Sequence, residues 1–111
     1  MKILVCGGRD FDDYSLVEQV LDEYVIEFIV HGAASGADRL ADKYALGNSI
    51  ETHRYPAKWG EHLNAAGPIR NQEMLKNHND LDLVIAFPGG KGTDDMVRRA
   101  KANGYKVRKV K

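Results

Sequence analysis

The sequence lacks several features that would identify a function at once. Cys6 is the only cysteine, so no disulfide can form within the chain, and its apolar neighbours predict a small core residue rather than a nucleophile. The four histidines show no metal-ligand spacing, and we expect neither a metal nor a cofactor. Lysine and arginine, 16 residues together, balance 16 aspartates and glutamates. This zero net charge and an aromatic content of only 8% disfavour nucleic acid as a partner.

Long hydrophobic runs are also absent, so no membrane-spanning helix is predicted, and no signal peptide is recognisable. We therefore expect a cytoplasmic protein with no membrane partner. A length of 111 residues is enough for one domain with a real core but not for two. We predict a single domain over residues 1–111.

Five short apolar runs rich in β-forming residues alternate with segments of helical periodicity. The runs are residues 3–6, 27–31, 51–55, 83–87 and 105–110, and the helical stripes lie within residues 16–24, 37–45, 69–75 and 96–100. This alternation predicts the α/β class, with a single Rossmann-like domain whose parallel sheet of about five strands is flanked by helices. Three helices have candidate caps, which are Asp12, Ser35 in a capping box with Asp38, and Thr93.

Glycine-rich turns follow three of the predicted strands, at Gly7-Gly8, at Gly32 to Gly36, and at residues 88–93. Parallel sheets bind their ligands outside the carboxyl ends of the strands, where all three turns would meet. Glycine lets backbone N–H groups approach a ligand, and a following helix directs its free N–H groups and positive dipole end at the same place. The pattern predicts one composite site for a phosphate or another anion.

Two arginines and an asparagine extend this predicted site. Arg9 follows the first strand, and Arg70-Asn71 lies near the start of the third long helix. An arginine fork suits phosphate or carboxylate, and an asparagine amide suits a base edge or a ribose hydroxyl. The alternatives are surface pairs, between Arg9 and nearby aspartates and between Arg70 and Glu73.

Other polar and aromatic residues beside the turns have two interpretations each. Asp38 either caps its helix or accepts hydrogen bonds from ribose, and Trp59 either stacks on a base or packs half-buried. His31 ends a strand and could touch ligand, whereas His53, His62 and His78 are expected at the surface. The complete set of candidate ligand-binding residues is Gly7, Gly8, Arg9, His31, Gly32, Gly36, Asp38, Trp59, Arg70, Asn71, Pro88, Gly89, Gly90, Lys91, Gly92 and Thr93.

Two carboxylates, Asp94 and Asp95, fall in the first turn of the last predicted helix. Carboxylates there favour the helix dipole, so a structural role is sufficient. They also stand beside the predicted phosphate loop, where negative charge repels phosphate. Either they point away from it, or one of them is held for acid–base or metal work.

Taken together, these motifs resemble the YspA-like branch of the SLOG superfamily of Rossmann-like proteins. The residues that carry the resemblance are Gly7-Gly8-Arg9-Asp10-Phe11, His31-Gly32 with Gly36-Ala37-Asp38, Pro56-Ala57-Lys58-Trp59, Ala66-Gly67 with Arg70-Asn71 and Met74, and Phe87 to Thr93. The resemblance implies a Rossmann-like sheet and a nucleotide or nucleotide-derived ligand. It further implies a sensor or binder, often from phage or bacterial conflict systems, and a possible homodimer.

The enzymatic cousins in this superfamily are the LOG-type phosphoribohydrolases, which cleave the N-glycosidic bond of nucleoside monophosphates. Their loop reads Pro-Gly-Gly-x-Gly-Thr-x-x-Glu, and the glutamate is catalytic. Counting from Pro88, that position holds Met96 here, which cannot transfer a proton. We therefore predict a binding module without turnover, with a phosphoribohydrolase that uses Asp94 or Asp95 as the alternative.

Overall fold

A computed structural model describes all 111 residues as alternating strands and helices. The elements are β1 (Lys2–Cys6), α1 (Tyr14–Leu21), β2 (Phe28–His31), α2 (Ala37–Gly47), β3 (Glu51–Arg54), α3 (Trp59–His62), a 3-10 turn (Leu63–Ala65), α4 (Ala66–Asn77), β4 (Leu83–Ala86), α5 (Lys91–Ala102) and β5 (Val107–Lys109). The five predicted strands are confirmed, each to within two residues at its ends. The short α3 carries no apolar stripe, and it was not predicted.

All strand pairs are parallel, and the strand order is β3-β2-β1-β4-β5. The chain builds outward from β1 to β3 and then crosses to the other side of β1 to add β4 and β5. The direction in which successive strands are added to the sheet therefore reverses between β1 and β4. Open α/β sheets form a ligand crevice at such a point.

Apolar side chains cover both faces of the sheet because successive residues of a strand point to opposite sides. Ile3 and Val5 pack with α1 and α2 on one face, whereas Leu4 and Cys6 pack with α4 and α5 on the other. Cys6 is buried, as predicted, and burial raises the pKa of its thiol to about 12, so it stays protonated.

Each of the three predicted helix caps is wrong. Asp13, rather than Asp12, caps α1 by accepting a hydrogen bond from the Leu16 N–H at 3.0 Å. Helix α2 begins after Gly36, with no side-chain cap from Ser35, because Gly36 takes a positive φ of 77° there. Helix α5 begins two residues before Thr93, at Lys91.

His78 was expected at the surface, and this prediction is also wrong. The residue is buried at the end of α4, where its Nε2 lies 2.8 Å from the Tyr55 hydroxyl oxygen. Its ring also packs against Phe28 and His53, with ring centroids 5.6 and 5.0 Å away. An isolated histidine in a polar stretch of sequence gave no signal of this aromatic contact.

Candidate functional site

A cavity of about 770 Å³ opens at the carboxyl ends of β1 and β4, where the order of strand addition reverses. That volume falls within the range of small-molecule sites. Most of the predicted ligand-binding residues line it, namely Gly7, Gly8, Arg9, Gly32, Asp38, Trp59, Arg70, Asn71, Gly90, Lys91, Gly92 and Thr93. The structure therefore brings together residues from the loops after β1, β2 and β4 and from helices α2, α3, α4 and α5.

The turn from β4 into α5 presents free backbone donors beside this cavity. The first N–H groups of a helix, here those of Lys91, Gly92 and Thr93, have no intrahelical acceptors. The N–H groups of Gly89 and Gly90 also donate to no protein group. No atom lies within 4 Å of where a Cβ on Gly90 or Gly92 would stand, so the approach to these donors is open.

Other predicted glycines join the loops to one another instead of facing the cavity. A Cβ on Gly89 would lie only 2.6 Å from the Gly8 nitrogen, and the Gly8 N–H donates to the Pro88 carbonyl at 2.8 Å. Gly36, at positive φ, packs against the backbone of Gly8 and Arg9. Gly36, Pro88 and Gly89 do not line the cavity, and the contacts that they make in the structure hold neighbouring loops together.

Arg70 reaches across the cavity to the ends of β2 and β3. Its Nη1 donates to the carbonyl of Gly32 at 2.6 Å and to that of Tyr55 at 3.4 Å, and its Nε donates to Asn71 Oδ1 at 3.1 Å. The alternative pair with Glu73 does not form. Burial lowers the pKa of Arg70 against the pull of the Asp38 charge, but a guanidinium stays protonated. Its Nη2 has no protein partner and is free for a ligand.

Arg9 stands at the mouth of the cavity without any hydrogen bond or ion pair to the protein. Its guanidinium carbon lies 4.8 Å from the centroid of the Trp59 ring, a cation–π arrangement, instead of pairing with the neighbouring aspartates. Trp59 is 44% exposed, so one aromatic ring and one unpaired cation flank the entrance.

Asp38 lies at the floor of the cavity and is 6% exposed. Its Oδ2 accepts hydrogen bonds from the N–H groups of Gly32 at 3.1 Å and Ala34 at 3.2 Å, so it fixes the preceding loop rather than capping α2. Its Oδ1 has no protein partner. Burial raises the pKa of Asp38 although both backbone hydrogen bonds oppose it. The free oxygen can accept a hydrogen bond from a ligand hydroxyl.

His31 was predicted to touch ligand, but the structure places its side chain outside the cavity. The side chain is 1% exposed and lies outside the cavity lining. Its Nδ1 accepts a hydrogen bond from the Ala33 N–H at 2.9 Å, and its Nε2 lies 2.8 Å from Asp42 Oδ1. Both ring nitrogens are therefore used to hold the β2–α2 loop, in which Ala33 takes a positive φ of 56°.

Asn71 lines the cavity, but its amide is used within the protein. Its Nδ2 donates to the Gly92 carbonyl at 3.3 Å and to Asp95 Oδ2 at 3.0 Å, while its Oδ1 accepts from Arg70. Asn71 therefore ties α4 to the first turn of α5, and its contact with a base edge or ribose stays a prediction.

Comparison with known proteins identifies the family. Residues 1–62 match the model of a family described as YspA, cpYpsA-related SLOG family. The Gene 61 protein of Mycobacterium phage D29 is 33% identical over 120 aligned positions, covering 96% of this chain and 93% of the phage protein. The chain belongs to this SLOG family. Membership suggests binding or modification of a nucleotide-related small molecule. No helix has the length and hydropathy that crossing a bilayer requires.

The SLOG assignment makes the position of Met96 important. Met96 is fully buried between the sheet and the α4–α5 layer, and it does not line the cavity. Asp94 and Asp95 do line it, because the opposite side of the first turn of α5 faces the ligand space. Of the two alternatives for these carboxylates, the one in which both point away from the cavity therefore does not hold.

Asp95 is held by three neighbours. Besides Asn71, it pairs with Arg98 at 2.6 Å and with Arg99 at 2.8 Å. Burial raises the pKa of Asp95, but the hydrogen bonds from Asn71 and Arg99 outweigh burial and leave it below the ordinary value. Near neutral pH this carboxylate is an anion without a proton to donate.

The sequence analysis did not predict two polar residues that line the cavity, Arg98 and Asn64. Arg98 follows Lys91 by seven residues, about two helical turns, so the two side chains share a face of α5. That spacing was a usable signal. Asn64 lies in the 3-10 turn after α3, for which the sequence had no periodic pattern.

Proposed function

We propose that this SLOG protein binds a nucleotide or nucleotide-derived ligand in the cavity, as a sensor or sequestering module. The observation that carries the proposal is the row of free N–H groups from Gly90 to Thr93, which lines the same cavity as the arginines Arg9 and Arg70. Backbone donors at a helix N-terminus together with guanidinium groups match the charge and geometry of phosphate. Asp38 Oδ1 supplies an acceptor for ribose hydroxyls.

A role in phage or bacterial conflict is part of the same proposal. It is supported by the 33% identity to a protein of a mycobacterial phage. A compact domain of this size fits a module that captures a small molecule and keeps it from other proteins.

Substituting Gly90 tests the phosphate site. Gly90→Val places a branched side chain in the open space before the free N–H groups, and no neighbouring atom is close enough to clash. We expect the variant to fold and to lose binding of nucleoside monophosphates in calorimetry, because the side chain blocks the approach of the anion.

Gly47→Val is the matched control, since a Cβ there also meets no atom and α2 ends far from the cavity. It should bind as the unmodified protein does. Full binding by Gly90→Val would show that this turn is not the phosphate site.

An N-glycosidic hydrolase is the second candidate, favoured by the placement of Asp94 and Asp95 in the cavity. Such cleavage requires a carboxylate near the anomeric carbon and a proton for the leaving group. Asp95 is locked in ion pairs as an anion, so it offers no proton.

We expect no appreciable release of free base from nucleoside monophosphates, because loss of general acid–base assistance typically costs about 10²–10⁴-fold in rate. Chromatographic detection of the base measures this. Base release that disappears in Asp95→Asn or in Asp94→Asn but persists in Asp80→Asn, a change remote from the cavity, would favour the hydrolase.

A further inference from the structure

A second cavity of about 270 Å³ lies beside the first, at the carboxyl ends of β2 and β3. Four residues line this second cavity and not the first, namely Ala33, Ser35, Pro56 and Ala57. It shares five other lining residues with the first cavity, including both arginines and Trp59. The two cavities therefore form one path along the carboxyl edge of the sheet, from β4 to β3.

Three long side chains, those of Arg9, Trp59 and Arg70, line both cavities where these join, beside Gly32 and Ala34. Arg9 has no polar partner in the protein and rests on the half-exposed Trp59 ring. Arg70 is anchored by its Nη1 and Nε but keeps its Nη2 free. Two guanidinium groups thus meet where the cavities join, and an anion placed there would contact both.

The second cavity differs from the first in its chemistry. Its own lining carries no ionisable side chain, only small apolar groups, loop backbone and the Ser35 hydroxyl. Such a surface accepts a compact uncharged group with hydroxyls, and it offers no countercharge for a further anion beyond the two shared arginines.

We propose that the ligand occupies both cavities and is a nucleoside diphosphate esterified to a second, hydroxylated moiety such as a sugar. The nucleoside part lies in the larger cavity, the diphosphate beside Arg9 and Arg70, and the second moiety against Ser35 and Ala57. This inference rests on the proposed nucleotide binding and specifies the class of ligand. Arg9 exchanges its contact with Trp59 for the diphosphate when the ligand binds.

Matched pairs of ligands test the proposal. Calorimetry would compare ADP, GDP, UDP and CDP with the glucose ester of each, using the full chain. For at least one base, we expect the glucose ester to bind about tenfold more tightly than the free diphosphate, or better, because only the ester fills the second cavity.

A substitution in the second cavity supplies the specific control. Ala57 lines the second cavity and not the larger one, so Ala57→Phe should remove the preference for the ester and lower the affinity for the ester far more than that for the free diphosphate. Ala102→Phe makes the same change on an exposed helix end remote from both cavities and should keep the preference.

The outcomes separate the two levels of the proposal. Equal affinity for each diphosphate and its glucose ester, or a preference that survives Ala57→Phe, overturns the extended ligand and leaves nucleotide binding intact. Failure of every nucleoside monophosphate, diphosphate and ester to bind contradicts the proposed function itself, and the extended ligand with it.

Discussion

Arg9 and Arg70 show how differently two arginines in one site can be held. Arg70 donates to two strand-end carbonyls and an asparagine, so its removal would disturb the protein as well as any ligand. Arg9 contacts only the face of Trp59 and has no polar partner. A substitution at Arg9 therefore changes ligand affinity with little effect on the fold.

Arg9→Ala should weaken nucleotide binding by about 1.5–3 kcal/mol, the range for a hydrogen bond to a charged group. The free energy of unfolding should change by no more than about 0.5 kcal/mol, as for most surface substitutions. Calorimetry and urea denaturation measure the two quantities. Arg39→Ala, the loss of an exposed arginine on α2 outside both cavities, should change neither. Unchanged affinity in Arg9→Ala would assign this residue to the packing of Trp59 alone.

The β4–α5 turn shows that neighbouring glycines can have opposite roles. Gly89 lies against the Gly8 backbone and the Thr93 side chain, whereas Gly90 and Gly92 border open space. Protein atoms leave no room for a Cβ at Gly89, whereas a Cβ at Gly90 or Gly92 would enter only the ligand space. The β4–α5 turn thus combines a tightly packed contact between Gly89 and Gly8, here called the joint, with an exposed row of backbone N–H donors.

This difference predicts opposite stability effects for two alanine substitutions. Gly89→Ala should lower the free energy of unfolding by about 1–3 kcal/mol, since the added methyl overpacks the joint. Gly92→Ala adds a better helix former in the first turn of α5, where nothing obstructs it, and should raise the free energy of unfolding by up to about 1 kcal/mol. Chemical denaturation measures both. Equal effects would mean that the joint relaxes around the methyl group.

Sequence reasoning predicted the elements and most of the site because both depend on local patterns. Alternating apolar runs specify the strands, and turns at strand ends specify the edge where ligand residues gather. The roles of His31, Asn71 and Gly89 depend instead on partners 11 or more residues away, such as Asp42 for His31 and Gly92 for Asn71. No spacing rule reveals such partners, so the sequence does not show that these residues hold the protein's own loops and helices together.

At the scale of the whole molecule, the buried aromatic contact of His78 couples the fold to pH. Burial and the neighbouring His53 lower the pKa of His78 from its ordinary value of 6.5, whereas Asp80 opposes this. The folded protein therefore keeps His78 neutral at pH values where the unfolded chain already binds a proton. Folding stability decreases as pH falls from 6.5 towards the lowered pKa.

We expect urea denaturation to give a smaller free energy of unfolding at about pH 5.5 than at about pH 8. His78→Gln should reduce this dependence, because glutamine does not titrate and can still bond the Tyr55 hydroxyl. His62→Gln, at a half-exposed position, should retain it. An identical pH dependence in all three proteins would exclude His78 as its source.

The order of the strands in the sheet also governs when the site exists during protein synthesis. β1 leaves the ribosome well before β4, yet it pairs with β4, whose Leu83 lies beside Ile3. The Gly8 turn reaches its partner Pro88 only after most of the chain has emerged. A nascent chain that ends after β3 lacks both the free N–H groups of α5 and the residues of α4 that line the cavity. The cavity is completed only after α5 has emerged, so the ligand recognises the folded site and adds its binding free energy to the docking of β4 and α5.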